Sequence, residues 1–127
     1  MPQLEQSFNS DSLSKIYLNA STVQGLPPEA ICLLATSAIE LAIEAVFYLN
    51  ALTPPNRDQA LFLFTERFVL NGGFPRGIEK EINALYQMRD GIIPMAKDGG
   101  LPTAKSVLKE LHRTIKAWQK EKDVTAK

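Results

Sequence analysis

Arg89 and Asp90 stand side by side where an apolar stripe runs into a helix breaker, and they carry the clearest chemistry in this chain. An arginine head is permanently charged and offers five donors, so it suits a phosphate or a developing oxyanion. Its structural alternative is an ion pair across the fold, with Glu40 as the candidate partner. Losing one member of such a pair costs about 3–5 kcal/mol when both are fully buried. Glu40 and Glu44 lie one helical turn apart and could hold a cation or exchange a proton. No third ligand stands near them, so no metal site and no cofactor are expected.

His112 is the only histidine and Cys32 the only cysteine. One histidine excludes a two-histidine metal site, and one cysteine excludes an intrachain disulfide. His112 lies on an amphipathic stretch, where a boundary position is its expected place. Cys32 sits in an apolar run and reads as a small core residue. Lys105, Lys109, Arg113 and Lys116 repeat at helical spacing and read as a solvated face. The pairs Gly72-Gly73 and Gly99-Gly100 follow no strand and precede no Gly-Lys-Ser/Thr, so they are not phosphate loops.

The elements that must position these residues follow from punctuation and period. The chain has 127 residues, with 14 Lys plus Arg against 14 Asp plus Glu. That length suits one domain with its own core, here 1–127, with the core at about 10–120 and a frayed tail at 121–127. Charge parity weighs against a dedicated non-specific nucleic-acid or membrane-surface binder. Met1–Gln6 has neither a basic nor an apolar signal region, so a cytoplasmic location is the simplest expectation. No bilayer-spanning segment is expected, because Glu40 and Glu44 interrupt the apolar run that starts at Ala30.

Proline and glycine clusters at 25–28, 54–56, 71–75 and 98–102 cut the chain into five segments, each readable at period 3.6. The first helix is expected from about Ser10 to Gln24. Ser10-Asp11-Ser12 would cap it, and Leu13, Ile16, Tyr17, Ala20 and Val23 would form its apolar face. The second, Pro28 to Leu52, is apolar almost all round, except for a narrow stripe of Thr36, Ser37, Glu40 and Glu44. It belongs at the centre of a bundle or in a subunit interface. The third runs from Arg57 to Leu70, the fourth from Arg76 to Ile92, and the fifth from Thr103 to Lys120. The fourth carries the stripe Ile78, Ile82, Leu85, Arg89. The fifth buries Ala104, Leu108, Leu111, Ile115 and Trp118. Phe47, Tyr48, Phe64, Phe68, Phe74, Tyr86 and Trp118 are mostly core; exposure of Phe47 or Tyr48 would point to an interface. The fold expected is an all-α, antiparallel up-and-down bundle of five helices.

Two stretches resemble the HEPN family, the higher eukaryote and prokaryote nucleotide-binding helical domains. Ala30 to Leu52, with Ser37-Ala38-Ile39-Glu40 followed by Ala42 and Ala45, is similar to that family's long central helix. Leu63 to Pro75, leading into Leu85-Tyr86-Gln87-Met88-Arg89-Asp90, resembles its Leu-Phe…Phe-Val…Gly…Pro segment and its Leu-Tyr-x-x-Arg-Asn/Asp helix end. The resemblance implies a helical bundle that dimerises, here through the second helix and the end of the fourth. It also implies a link to nucleotidyltransferase partners, to RNA and to toxin–antitoxin pairs. Catalytic members use an arginine and a following histidine as a metal-independent ribonuclease. Arg89 and Asp90 match that motif, but the places for the histidine hold Pro94, Met95 and Ala96, none of which transfers a proton. The function expected is therefore a non-catalytic interaction module, with a nucleotidyltransferase or RNA as partner. The alternatives are a ribonuclease working through Arg89, with Asp90 or another residue, and a helical scaffold without a nucleic-acid role.

Overall fold

The computed structural model describes the backbone of residues 2–126 and the side chains of residues 3–123. Among them the chain is all-helical, with five α-helices and no strand. These are α1 (Pro2–Ser21), α2 (Pro28–Leu49), α3 (Arg57–Phe64), α4 (Ile78–Arg89) and α5 (Leu101–Ala126), with a π turn over Thr65–Val69 closing α3.

The centre is α2, which touches α1, α3, α4 and α5. Pro28 opens it at the first helical position, where a missing N–H costs nothing, and Glu29 follows in the first turn. By length and composition alone α2 is apolar enough to cross a membrane, with a mean hydropathy of 1.9 in its most apolar window. In this fold its apolar surface is the core. Ile39, Ile43 and Val46 pack with Phe64, Ile82, Leu108, Leu111 and Ile115. At one end Phe47, Phe64, Phe68, Phe74 and Trp118 interlock, with Phe47 meeting Phe68 edge-on at 5.4 Å. Phe47 is buried and Tyr48 half-buried, so neither marks an interface. The fifth-helix face is as expected, and Lys105, Lys109, Arg113 and Lys116 all lie outside.

The first helix departs most from expectation. It starts at Pro2, so Ser10, Asp11 and Ser12 lie within it and cap nothing. It also packs the other way round. Leu13, Ile16, Tyr17 and Val23 are exposed, while Ser7, Ser10, Asp11, Ser14 and Ser21 are buried. The serines explain this. Ser7 donates to the Ala45 carbonyl at 2.9 Å and accepts from Gln119 at 3.2 Å. One heptad on, Ser14 donates to the Ala38 carbonyl at 2.6 Å and bonds His112 Nε2 at 2.8 Å. Small hydroxyl residues on α1 thus meet the alanines of α2, where no large side chain holds the backbones apart, and every hydroxyl in the pair of bridges is satisfied.

The remaining differences are local. Gly77, at φ +94°, delays α4 to Ile78 instead of Arg76. It ends at Arg89 as Gly91 turns left-handed, which is the break that Asp90-Gly91 signals. The second helix stops at Leu49, not Leu52, because Ala51 takes φ +58°. The last helix outruns Lys120 and continues to Ala126, so the stretch read as a frayed tail is helical over its described part. Its Lys, Glu and Gln residues are good helix formers. At Gly99-Gly100 the loop presses into the core. A Cβ on Gly100 would stand 2.5 Å from Leu85 Cδ2, and one on Gly99 would stand 2.5 Å from the Pro28 carbonyl.

Candidate functional site

Arg89 closes the apolar stripe of α4, and its guanidinium is drawn back over the fold. Nη1 reaches Glu40 Oε1 at 3.3 Å, so the cross-bundle pair expected from sequence is formed. Nε and Nη2 make a two-pronged contact with the Asp90 carboxylate at 2.9 and 3.3 Å. The head also stacks 4.6 Å above the Tyr86 ring. Only 14% of the Arg89 side chain stays exposed, against 19% for Glu40. Burial alone would weaken the guanidinium's hold on its proton. The hydrogen bonds it donates to Asp90 and the charge of Glu40 more than offset that, so the head stays charged. Hydrogen bonding to Arg89 likewise holds the Asp90 carboxyl below its usual range.

Arg57 completes the cluster. Its Nε lies 2.6 Å from Glu40 Oε2, so Glu40 is clasped by one arginine on each oxygen. Sequence reasoning passed over Arg57, although a signal was present. A cation in a first helical turn opposes the helix dipole and calls for an acidic partner. Tyr86 was read as core; it is half-buried and forms the floor under Arg89, and burial pushes its hydroxyl pKa far up.

This cluster divides two clefts. One, of about 520 Å³, lies between α3 and α4 beside Arg89. Arg57, Lys80 and Arg89 line it against Asp58, Glu79 and Asp90, so its charges balance. The exposed Phe62 and Ile92 form apolar parts of its wall. The other, of about 330 Å³, lies between α1, α2, the Pro54-Pro55 segment and α3, with Tyr86 at its end. Three members of the polar stripe of α2, Ser37, Glu40 and Glu44, face it. Thr36 does not: it is buried and donates to its own helix at the Cys32 carbonyl, 2.8 Å away. Burial, then the nearby Glu40 charge, raises the Glu44 pKa.

The other singled-out residues lie apart from these clefts. His112 is on α5, hydrogen-bonded to Ser14 and pushed down in pKa by burial. Since the Ser14 proton goes to Ala38, the ring's Nε2–H is the donor in that contact. Cys32 is buried, its thiol turned to the Leu85 carbonyl at 3.7 Å and raised in pKa by burial. Among the described residues no group of three or more His, Cys, Asp or Glu could hold a metal ion. Compared with protein-family models, with curated proteins and with solved structures, the chain finds no match.

Proposed function

We propose that this chain is a HEPN-like helical module that acts by association and not by catalysis. The state of Arg89 carries this reading. Its head is bound by Glu40, Asp90 and Tyr86. The one imidazole serves as a brace between α5 and α1 and lines neither cleft. A metal-independent phosphodiester cleavage needs a free cationic head and a proton-transfer group together.

The association is a homodimer through α2 and the end of α4, in the cytoplasm. Leu33 on α2 and Ile92 just after α4 are exposed apolar residues on those elements, with Phe62 facing Ile92's cleft. Exposed large side chains beside a satisfied ionic cluster make a reasonable interface core. The charge balance of the larger cleft favours a protein such as a nucleotidyltransferase over RNA as further partner, because a phosphate track needs a basic excess. Within the module, the four long helices alternate up and down. Ser7 with Ala45 and Ser14 with Ala38 support opposite senses for α1 and α2. Gly73 near Trp118 and Gly100 near Leu85 support the same for α4 and α5.

Sedimentation of the wild type and of Ile92→Asp tests the dimer, alongside RNA cleavage in chelator with wild type and Arg89→Ala. The expected result is a wild-type dimer, a shift to monomer in Ile92→Asp, and intact RNA throughout. Cleavage that disappears in a folded Arg89→Ala protein would make the chain a ribonuclease. A wild-type monomer at every concentration, capturing neither RNA nor protein, would leave a scaffold.

A further inference from the structure

The smaller cleft has the make-up of a ligand site that the association reading does not use. Its volume of about 330 Å³ is small-molecule sized. Leu13 and Tyr17 of α1 form one wall, Leu41 of α2 another, and Pro54 and Pro55 a third. Its charged groups are Glu40, Glu44 and Arg57. Glu40 is spent, since Arg57 and Arg89 hold its two oxygens. Glu44 makes no hydrogen bond or ion pair with any described residue, and the Ser37 hydroxyl about two turns away is also unengaged. The lining therefore carries one surplus negative charge, set among hydrocarbon and a tyrosine face.

We propose that this cleft binds a small organic monocation, an alkyl- or arylalkyl-ammonium, with its nitrogen on Glu44 and its hydrocarbon body between Tyr17, Leu41 and the two prolines. The charge complementarity selects this class. An anion would meet Glu44 with Glu40 behind it. A bare divalent metal wants six or more oxygens or several N and S donors, and one free carboxylate cannot supply them. A neutral apolar molecule would leave Glu44 half-buried and unpaired. An ammonium satisfies the carboxylate with a charge-assisted hydrogen bond, and the ring of Tyr17 adds cation–π attraction. The size of the cleft between α1, α2 and the loop before α3 suits a free small molecule.

The test uses the full chain and three probes of one shape: benzylamine, benzyl alcohol and benzoate. Backbone amide NMR shifts are followed during titration at neutral pH, with wild type and Glu44→Gln. The expected result is saturable shifts with benzylamine in and around residues 37–44 and 57–60, with the alcohol and the acid at least about tenfold weaker. Glu44→Gln should lose at least about tenfold toward the amine while keeping the wild-type spectrum elsewhere. Equal response to all three probes, or unchanged amine affinity in Glu44→Gln, would overturn the proposal. So would silence toward the amine combined with Glu44-dependent self-association, which would assign the cleft to a partner's lysine or arginine. Dimer formation is read separately by sedimentation, so either proposal can fail without the other.

Discussion

Replacing Arg89 with alanine would leave Glu40 with one arginine instead of two, because Arg57 remains on Oε2. The loss should therefore fall short of that for a fully orphaned buried charge. We expect about 1–3 kcal/mol, read from the urea midpoint at unchanged slope. Arg57→Ala should cost less, since that side chain is 70% exposed and water screens its pair. A reversed order would mean that Glu40 is anchored from α3 and not from α4. At this scale the Glu40–Arg89 contact was legible, because an arginine on an apolar stripe must find an anion. For Arg57 only the need of an acidic partner was legible, not that the partner is Glu40. Nothing in the spacing of α2 against α3 fixes which side chain a loop with two prolines will deliver.

The helix α1 shows what periodicity alone misses at the next scale. Its large apolar residues and its serines recur on opposite faces, and both patterns are helical. The rule that apolar faces turn inward chose the wrong one. The competing signal was the run Ser7, Ser14, Ser21 at heptad spacing, opposite the small residues Ala38 and Ala45 of α2. Close approach of two backbones plus satisfied hydroxyls outweighs burial of Leu13 and Ile16 here. The contrast is testable with two variants. Ile16→Glu, at a position 60% exposed, should change stability by no more than about 0.5 kcal/mol. Ser14→Leu should cost about 1–3 kcal/mol, because the added volume has no space and the Ala38 and His112 contacts go unmet. Thermal melts of the two proteins would decide. Greater damage from Ile16→Glu than from Ser14→Leu would mean that α1 sits with its apolar face inward. The other helices were legible in type and in inner face, and their ends moved by a few residues wherever a positive φ intervened, as at Gly77 and Ala51.

For the whole molecule, two half-buried groups give stability opposite slopes with pH. Burial lowers the His112 pKa below its ordinary 6.5, so the unfolded chain binds that proton more readily. Its contribution is fully present above 6.5 and declines as pH falls toward and through the lowered value. Glu44 is raised above 4.5, so the folded chain binds that proton more readily. Its contribution is greatest below 4.5 and declines as pH rises through the raised value. Denaturation midpoints from pH 4 to 8 should show His112→Gln flattening the slope just below neutrality. Glu44→Gln should be more stable than wild type at neutral pH and lose that advantage in acid. Parallel curves for all three proteins would refute both assignments. Fold class was legible at this scale because segment lengths and turn residues agreed. The placing of the two clefts was not, because it depends on how α3 crosses between the long helices.

The π turn at the end of α3 bears on how this chain tolerates changes of length. Its wide ring, closed by the Leu70 amide on the Thr65 carbonyl at 3.0 Å, accommodates one residue more than an α-helical turn would. Such a turn absorbs the extra residue without rotating what lies on either side. A version of the chain shortened by the exposed Glu66 would relax into regular α-helix, and Arg57 would still point at Glu40. The same deletion placed in α4, which has no such slack, would turn Arg89 away from Glu40 by about 100°. A one-residue deletion is therefore absorbed on one side of the ionic cluster and barred on the other.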